Sequence, residues 1–372
     1  MILRSLLADH RGRRLRFPAG VAVVLAAGVG LAFGGTKPST ADLQAGPITV
    51  EARSIPGFDR LKRDETRFGR LTWRGGLVLT SPSKHFGGWS GLALDADGKG
   101  FFAVSDAGAW MSGALTYDDK GVPSGMSSVR LGAIQSKDGD PLSRKSDSDA
   151  EGLALLNGTT EKRTAFISFE RKHRISRYDI DVGGLSPARG KVSLPKSARG
   201  MPSNGGFEAI AVLRGGPNKG KFVAFSESMR DGEGDHVGWI WQDSKPRKFY
   251  LTNDGDYDIT DAAPLPDGGL LVLERRFRWS EGVRMRLRLI KQQQLRPRKI
   301  IDADILVSAD GAREIDNMEG LAAHVAPSGE TIVTMISDDN FNRGLQRTIL
   351  LQFAISAGEL AVSGGGLQAD QP

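Results

Sequence analysis

Apolar and polar positions follow one pattern that occurs five times along the chain. Each unit opens on a polar residue and a short strand of small apolar residues, and a glycine-rich or charged turn follows. A second apolar strand then ends on an acid. The leading polar residues are separated by 61, 57, 52 and 59 positions, and they are Ser90, Glu151, Glu208, Thr260 and Glu319. Repeats of this length built from short strands are typical of β-propellers. The pattern therefore predicts an all-β fold, a single β-propeller of four-stranded blades.

Two segments before the first repeat leave the number of blades open. Residues 70–80 are predicted to form a β-hairpin with Gly75 and Gly76 at its turn, and residues 48–54 to form a strand. These segments either build a sixth blade or pair with the last blade and close the ring, which removes exposed sheet edges. We prefer six blades, with five as the alternative.

The first 41 residues are similar to an export signal. A basic segment at 11–16 precedes an uncharged apolar run at 19–33, and small residues follow at 39–41. The run is shorter than the roughly 20 residues that span a bilayer. We expect residues 1–41 to be removed, which leaves no stable membrane span. Residues 42–372 then form a periplasmic or secreted propeller, exported by the Sec route or, given Arg13 and Arg14, by the twin-arginine route.

Charge and cysteine content narrow the function classes. The net charge is +6, but residues 1–41 hold six basic residues and one acid, so the remaining chain carries only +1. Nucleic-acid binding thereby loses its main support. The chain has no cysteine, which excludes disulfides, zinc–thiolate sites and thiol catalysis. We expect a monomer whose partner is a small molecule.

The repeat places acids at equivalent positions around one axis. Glu151, Glu208 and Glu319 lead inner strands and are the candidate catalytic groups, and Asp147 and Asp149 precede Glu151 and would extend its site. The candidate metal ligands end the second strands, and they are Asp106, Glu170, Glu227, Glu274 and Asp338. Carboxylates that converge repel one another unless they are protonated, paired with a base or bridged by a cation. Oxygen ligands without sulfur suit Ca²⁺, or alternatively Mg²⁺.

Basic residues follow these acids directly. Arg171 and His173 come after Glu170, Arg275 comes after Glu274, and Arg343 follows Asp338 by five positions. A guanidinium binds two oxygens of a phosphate or carboxylate at once. We therefore predict that Arg171, Arg275, Arg343 and His173 bind an anionic substrate. The opposing interpretation is that the acids only anchor neighbouring blades by accepting backbone hydrogen bonds.

Five motifs of this chain together resemble a known family. They lie at residues 86–92, 105–108, 149–153, 317–321 and 337–341, and they read FGGWSGL, SDAG, DAEGL, NMEGL and SDDNF. They are similar to the bacterial phytase-like propellers, the family termed "esterase-like activity of phytase", over about residues 48–355. The resemblance implies an exported propeller with hydrolase activity on esters or phosphate esters, and it does not fix the substrate.

Three functions are compatible with these patterns. The sequence favours an enzyme, an exported hydrolase of esters or phosphoesters assisted by a divalent cation held by acids at the channel. The first alternative is a non-enzymatic propeller of the cell envelope that binds a ligand or a protein, since fold does not fix function. The second is a Ca²⁺-dependent sugar-lactone hydrolase, against which an arginine facing the channel would argue.

Overall fold

The repeats form five sheets, antiparallel except for one short parallel pair, whose inner strands neighbour one another around a single axis. The computed structural model describes residues 35–159 and 162–361; the predicted export signal therefore lies largely outside the described residues. Four strands precede the first repeat: β1 (Gly46–Pro47), β2 (Glu51–Ile55), β3 (Arg67–Phe68) and β4 (Leu71–Thr80). The first repeat contributes β5 (Trp89–Leu94), β6 (Gly100–Ser105), β7 (Ala109–Tyr117) and β8 (Pro123–Ala133), and with β1 they form blade 1.

The remaining blades follow in chain order. Blade 2 contains β9 (Ala150–Thr159), β10 (Lys162–Phe169), β11 (Arg174–Asp181), β12 (Gly184–Leu185) and β13 (Gly190–Lys191). Blade 3 begins with β14 (Phe207–Val212), β15 (Phe222–Arg230), β16 (His236–Gln242) and β17 (Lys245–Leu251). Blade 4 contains β18 (Asp258–Pro264), β19 (Leu270–Arg278), β20 (Gly282–Ile290) and β22 (Asp304–Ala309), and the short β21 (Ile300–Ile301) joins blade 3. Blade 5 adds β23 (Asn317–Val325), β24 (Thr331–Asp338) and β25 (Thr348–Ile355).

Strands from the N-terminal part of the chain complete blade 5 and close the ring. β4 pairs antiparallel with β25, and β2 pairs with β4, so the order across this sheet is β2-β4-β25-β24-β23. The propeller is confirmed. It has five blades, which was the alternative count, and the preferred count of six was wrong. The two leading segments supply the outer strands of the last blade because β25 offers them an edge that would otherwise be unpaired.

The predicted hairpin at residues 70–80 is also wrong, because β4 runs without interruption through Gly75 and Gly76. The chain reverses earlier, between β3 and β4, at Gly69 with a φ of +55°. Gly75 has a φ of +140°, and a Cβ there would lie 2.6 Å from a methyl carbon of Val122. The two glycines therefore permit close packing within a strand and do not form a turn.

Five apolar clusters fill the five gaps between neighbouring blades. Between blades 3 and 4, for example, Phe225 and Phe249 pack against Ile259 and Val272. Along the axis, small and branched residues of all five inner strands line a cavity of about 20 Å³.

Helices contribute little to the described part of the chain. They are α1 (Lys145–Ser148), α2 (Ala357–Ala361) and two 3-10 turns at Lys196–Gly200 and Gly216–Asn218. Within residues 35–159 and 162–361, no helix is long and apolar enough to cross a membrane.

Candidate functional site

A β-bulge at the start of every inner strand contains the leading polar residue of the repeat. In blade 1, Trp89 pairs with Ser105 and Gly91 pairs with Val104, which leaves Ser90 as the extra residue. The same register shift occurs in the other four inner strands, at Glu151, Glu208, Thr260 and Glu319. A bulge bends the strand and changes the direction of a side chain. The repeat therefore presents five polar side chains at one mouth of the propeller.

A second ring of side chains follows from the pairing beside each bulge. The inner-strand residue just before the bulge pairs with Ser105 in blade 1 and Ser226 in blade 3, and the next residue is an acid. In blade 4, however, Ile259 pairs with Glu274, and the next residue is Arg275. The equivalent positions of the five blades are thus Asp106, Glu170, Glu227, Arg275 and Asp338.

Glu274 was predicted to belong to this second ring of side chains, but it lies one residue before the equivalent position. It is fully buried, accepts hydrogen bonds from the side chains of Arg286 and Arg288, and lies 3.9 Å from the Nε2 atom of His236. Its carboxylate is satisfied by the neighbouring strand β20, and it does not join the other predicted metal ligands. The sequence pattern aligned Glu274 with the acids because it also ends an apolar run.

The acids of blades 2 and 3 come together in two overlapping groups. Carboxylate oxygens of Asp149, Glu151 and Glu170 lie within 4.8 Å of one another, and so do those of Glu170, Glu208 and Glu227. Glu170 belongs to both groups. Its Oε1 atom accepts hydrogen bonds from the backbone N–H groups of Gly205 and Gly206, which fixes this carboxylate between the two blades.

Burial and mutual repulsion make these acids hard to ionise. Burial, followed by the nearby carboxylates, raises the pKa of Glu151 and Glu208 well above the usual range for glutamate. The same causes raise the pKa of Glu227 to about 8, and Asp258 makes the largest contribution among the charges. Within the described residues, no hydrogen bond or ion pair holds the carboxylates of Glu151, Glu208 and Glu227. Glu274, in contrast, is paired with Arg286 and Arg288.

The acids of blades 1 and 5 extend the same mouth. Burial raises the pKa of Asp106 to about 6, although Lys37 works in the opposite direction. Burial, together with the charges of Asp106 and Glu319, raises the pKa of Asp338 well above the usual range for aspartate. Asp338 accepts a hydrogen bond from the backbone N–H of Asn340. Acids from blades 1, 2, 3 and 5 therefore share one electrostatic environment.

Arg275 supplies a fixed positive charge from blade 4. Its Nη1 atom donates a hydrogen bond to Oδ1 of Asn317 at 2.7 Å, and its Nη2 atom lies 3.8 Å from Oε1 of Glu319. Burial works to lower the pKa of Arg275, but Glu319, Glu227 and other nearby acids raise it overall. Arg275 thus remains charged beside the acids, as a residue that binds an anion must.

The other predicted basic residues have different roles. Arg171 pairs through Nε with Asp149 at the edge of the cluster. The guanidinium of Arg343 donates to the backbone carbonyls of Ser81, Ser83 and Phe86 and so holds a loop. His173 contacts the backbone carbonyl of Pro202 through Nε2 at 2.8 Å. Arg275 is therefore the predicted arginine that the structure brings among the unpaired acids.

One residue of the site was missed. The Nζ atom of Lys37 forms an ion pair with Asp106 and lies 3.4 Å from Oδ1 of Asp149. The sequence placed Lys37 in a segment expected to be removed on export, so it was not considered for the site. No local pattern around it indicates a contact with residues about 70 and 110 positions away.

A five-bladed propeller with a carboxylate-rich mouth and a half-buried arginine beside the acids is the class that the fold and the site define. The chain belongs to the phytase-like family described as "esterase-like activity of phytase", whose model matches residues 84–341, more than half of the chain. The resemblance that the five motifs indicated is thereby confirmed. No curated protein matches the chain.

The β-propeller domain of Cps50 (Swd1) from Myceliophteria thermophila is similar with a TM-score of 0.38 and 10% sequence identity. This alignment covers 82% of the present chain and 99% of that domain.

Proposed function

We propose that the protein is an exported hydrolase of esters or phosphoesters, assisted by a divalent cation bound at the acidic mouth. The observation that carries the proposal is the convergence of Glu151, Glu170, Glu208 and Glu227 at one pocket, where three of the four carboxylates have no partner among the described residues. Membership in the phytase-like family supports hydrolysis as the reaction class.

The acids at the mouth fit a hard cation. Ca²⁺ prefers carboxylate and carbonyl oxygens and accepts varied geometry, and Mg²⁺ takes one or two carboxylates and keeps water. Glu170 uses one oxygen for two backbone N–H groups, so its second oxygen remains for an ion shared with either group of acids. A bound cation would neutralise the carboxylates and polarise an ester or phosphate oxygen.

Arg275 gives the pocket a preference for anionic substrates. Its charge lies on the blade 4 side, near Glu208, Glu227 and Glu319. A guanidinium in this position binds the oxygens of a phosphate or carboxylate that reaches the acids. The uncharged substrate of a sugar-lactone hydrolase would leave this charge unused, so Arg275 favours the phosphoester alternative.

The glutamates are also candidates for proton transfer. Burial holds the pKa of Glu227 at about 8 in the cation-free protein, and a bound cation would lower this pKa and favour the carboxylate form that acts as a general base. Glu208 and Glu151 are placed on bulges of the inner strands, where a water molecule bound in the pocket would meet them. In this proposal the glutamates hold or remove the proton of the attacking water.

A non-enzymatic envelope propeller is the second candidate, and one observation favours it. Some acids near the axis do anchor neighbouring blades: Asp261 accepts hydrogen bonds from the backbone N–H groups of Leu321 and Ala262, and Asp339 accepts one from Gly88. Anchoring accounts for these residues and partly for Glu170. It leaves Glu151, Glu208 and Glu227 without a role.

Export and a monomeric state remain part of the proposal. The basic and apolar pattern of residues 1–41 supports Sec or twin-arginine export to the periplasm or the medium. The substrate is then an extracellular small molecule, with no nucleic acid among the partners.

The test combines cation binding with catalysis. We expect Ca²⁺ to raise the melting temperature of EDTA-treated protein, because a ligand at about 100 times its dissociation constant adds roughly 2.7 kcal/mol. p-Nitrophenyl phosphate and p-nitrophenyl acetate are the substrates to assay. The double variant Glu170→Gln/Glu208→Gln should lose both responses, while Glu233→Gln, which changes an exposed acid, should keep both. Full activity in the double variant would refute the assignment.

A further inference from the structure

Residues 35–41 lie across the acidic mouth as an extended strap. The backbone N–H of Gly35 donates to the carbonyl of Asn340 at 2.8 Å, beside blade 5. The Thr40 hydroxyl donates to the carbonyl of Leu142 at 3.0 Å, between blades 1 and 2, and Thr40 is buried with 1% exposure. The strap therefore has an attachment on each side of the acids.

Between these attachments, Lys37 extends into the acids. Its ammonium pairs with Asp106, and Asp149 lies within hydrogen-bond distance. The side chain of Lys37 is 28% exposed, and that of Asp106 is 9% exposed. Burial disfavours the ammonium, but Asp106, Asp149 and Glu151 together raise the pKa of Lys37 above its usual value. The three acids thus keep a positive charge at this point.

Asp106 has capacity beyond this ion pair. Its Oδ1 atom is buried and has no hydrogen-bond partner among the described residues, while Oδ2 faces Lys37. A single monovalent ammonium leaves part of this carboxylate unsatisfied, and a divalent ion with several oxygen ligands would satisfy it.

We propose that the strap closes the cation site: the Lys37 ammonium occupies the Asp106–Asp149 side of the mouth and competes with a divalent cation for these acids. Two positive centres on the same carboxylates repel each other, so binding of one disfavours the other. The inference rests on the cation site of the proposed function, and it adds a way in which cation binding at this site is controlled.

Cleavage of the predicted export signal would also remove the part of the strap that carries Lys37. The predicted cleavage site at residues 39–41 lies between Lys37 and the first strand of the propeller, so cleavage there removes the ammonium and the Gly35 attachment in one step. Removal of a segment of this kind is a common way to release a closed site. The uncleaved chain is then the closed form, and the cleaved chain is the open form.

Calorimetric titration of the full chain with CaCl₂ tests the competition. The comparison uses the wild type and Lys37→Met, which keeps the length of the side chain without its charge. Lys37→Arg retains the charge, and Lys62→Met removes an exposed charge elsewhere. We expect Lys37→Met to bind Ca²⁺ at least about tenfold more tightly than the wild type. Lys37→Arg and Lys62→Met should match the wild type. Circular dichroism confirms that each variant is folded.

The outcomes distinguish failure of the strap proposal from failure of the proposed function. Equal Ca²⁺ affinity in the wild type and Lys37→Met would overturn the strap proposal and leave the cation site intact. An absence of Ca²⁺ and Mg²⁺ binding in every variant would overturn both. If Lys37→Met fails to fold, the Lys37→Gln variant is titrated in its place, and the same two criteria apply.

Discussion

Glu274 and Glu227 end equivalent-looking strands in neighbouring repeats, yet their surroundings are opposite. Glu274 accepts hydrogen bonds from Arg286 and Arg288 of the adjacent strand and is fully buried. Glu227 has no such partner among the described residues. After burial, the charges that act on its pKa are Asp258, Glu170 and Glu319, which raise it, and Arg275, which lowers it. The two acids differ by one position in the repeat: Glu274 corresponds to Ser226 of blade 3, and Arg275 corresponds to Glu227. At its position Glu274 contacts the adjacent strand, which supplies its two arginine partners.

Blade 4 differs from the others because its pairing places Arg275 where the other blades place an acid. Its inner-strand bulge likewise carries Thr260 where three other blades carry glutamate, and the Thr260 hydroxyl donates to the carbonyl of Met318. The mouth is consequently asymmetric, with unpaired carboxylates on the side of blades 2 and 3 and the positive charge of Arg275 on the side of blade 4. An asymmetric pocket can orient a substrate that carries charge at one end.

The largest difference between paired and unpaired acids should appear in the free energy of unfolding when each glutamate is replaced by glutamine. Glu274→Gln leaves Arg286 and Arg288 buried without their counter-charge, and breaking a buried pair in this way costs about 3–5 kcal/mol. Glu208→Gln has the same shape change but removes a charge that has no partner. We expect it to leave the free energy of unfolding unchanged or to increase it. Urea unfolding at pH 8 with EDTA measures both.

Glu233→Gln serves as the reference for a surface change, with an expected effect within about 0.5 kcal/mol. A similar loss of stability in Glu208→Gln and Glu274→Gln would contradict the distinction, since both acids would then be structural anchors.

The unpaired acids should also give the cation-free protein an unusual dependence on pH. The pKa of Glu227 rises from 4.5 in the unfolded chain to about 8 in the folded protein, and that of Asp106 rises from 3.8 to about 6. Between the unfolded and folded values the native state binds more protons, so stability falls as the pH rises. Each such group changes stability by about 1.4 kcal/mol per pH unit. From Glu227 and Asp106 alone we expect a loss of about 2 kcal/mol between pH 6.5 and 8 in EDTA, and the raised pKa values of the other acids of the mouth add to it.

Glu227→Gln should reduce this slope, and Glu233→Gln should leave it unchanged. The measurement is a series of urea unfolding curves across this pH range. A cation-free protein that becomes more stable from pH 6.5 to 8 would show that the mouth acids are compensated after all.

Much of the fold and of the acidic mouth could be predicted because local sequence patterns determine them. Alternation of apolar and polar residues identified the inner strands, and the leading Glu151 and Glu208 were placed at the mouth because they precede those strands. The motifs were sufficient to indicate the family, which the match to residues 84–341 confirms.

The errors concern contacts between distant segments. The sequence left two possibilities for the leading segments, and the less favoured one, pairing with the last blade, is the one the structure shows; the sequence of β4 does not encode that β25 is its partner. The shift that replaces Glu274 by Arg275 in the acid ring depends on a bulge one strand away. Lys37 was invisible for the same reason, because its acids lie in blade 1 and just before blade 2.

The smallest expected effect separates two roles of Arg275, counter-ion of the acids and binder of an anionic substrate. Arg275→Lys keeps the charge but replaces the planar group that bonds Asn317. We expect a stability loss of at most about 1 kcal/mol, the value of a typical hydrogen bond. For p-nitrophenyl phosphate we expect KM to rise about tenfold, because a lysine cannot hold two phosphate oxygens in fixed geometry. The matched change Arg278→Lys, on an exposed residue paired with Asp256 and Glu281, should leave KM unchanged. Unchanged KM in Arg275→Lys would restrict Arg275 to balancing the charges of Glu319 and its neighbours, and the anion would then have to bind elsewhere on the mouth.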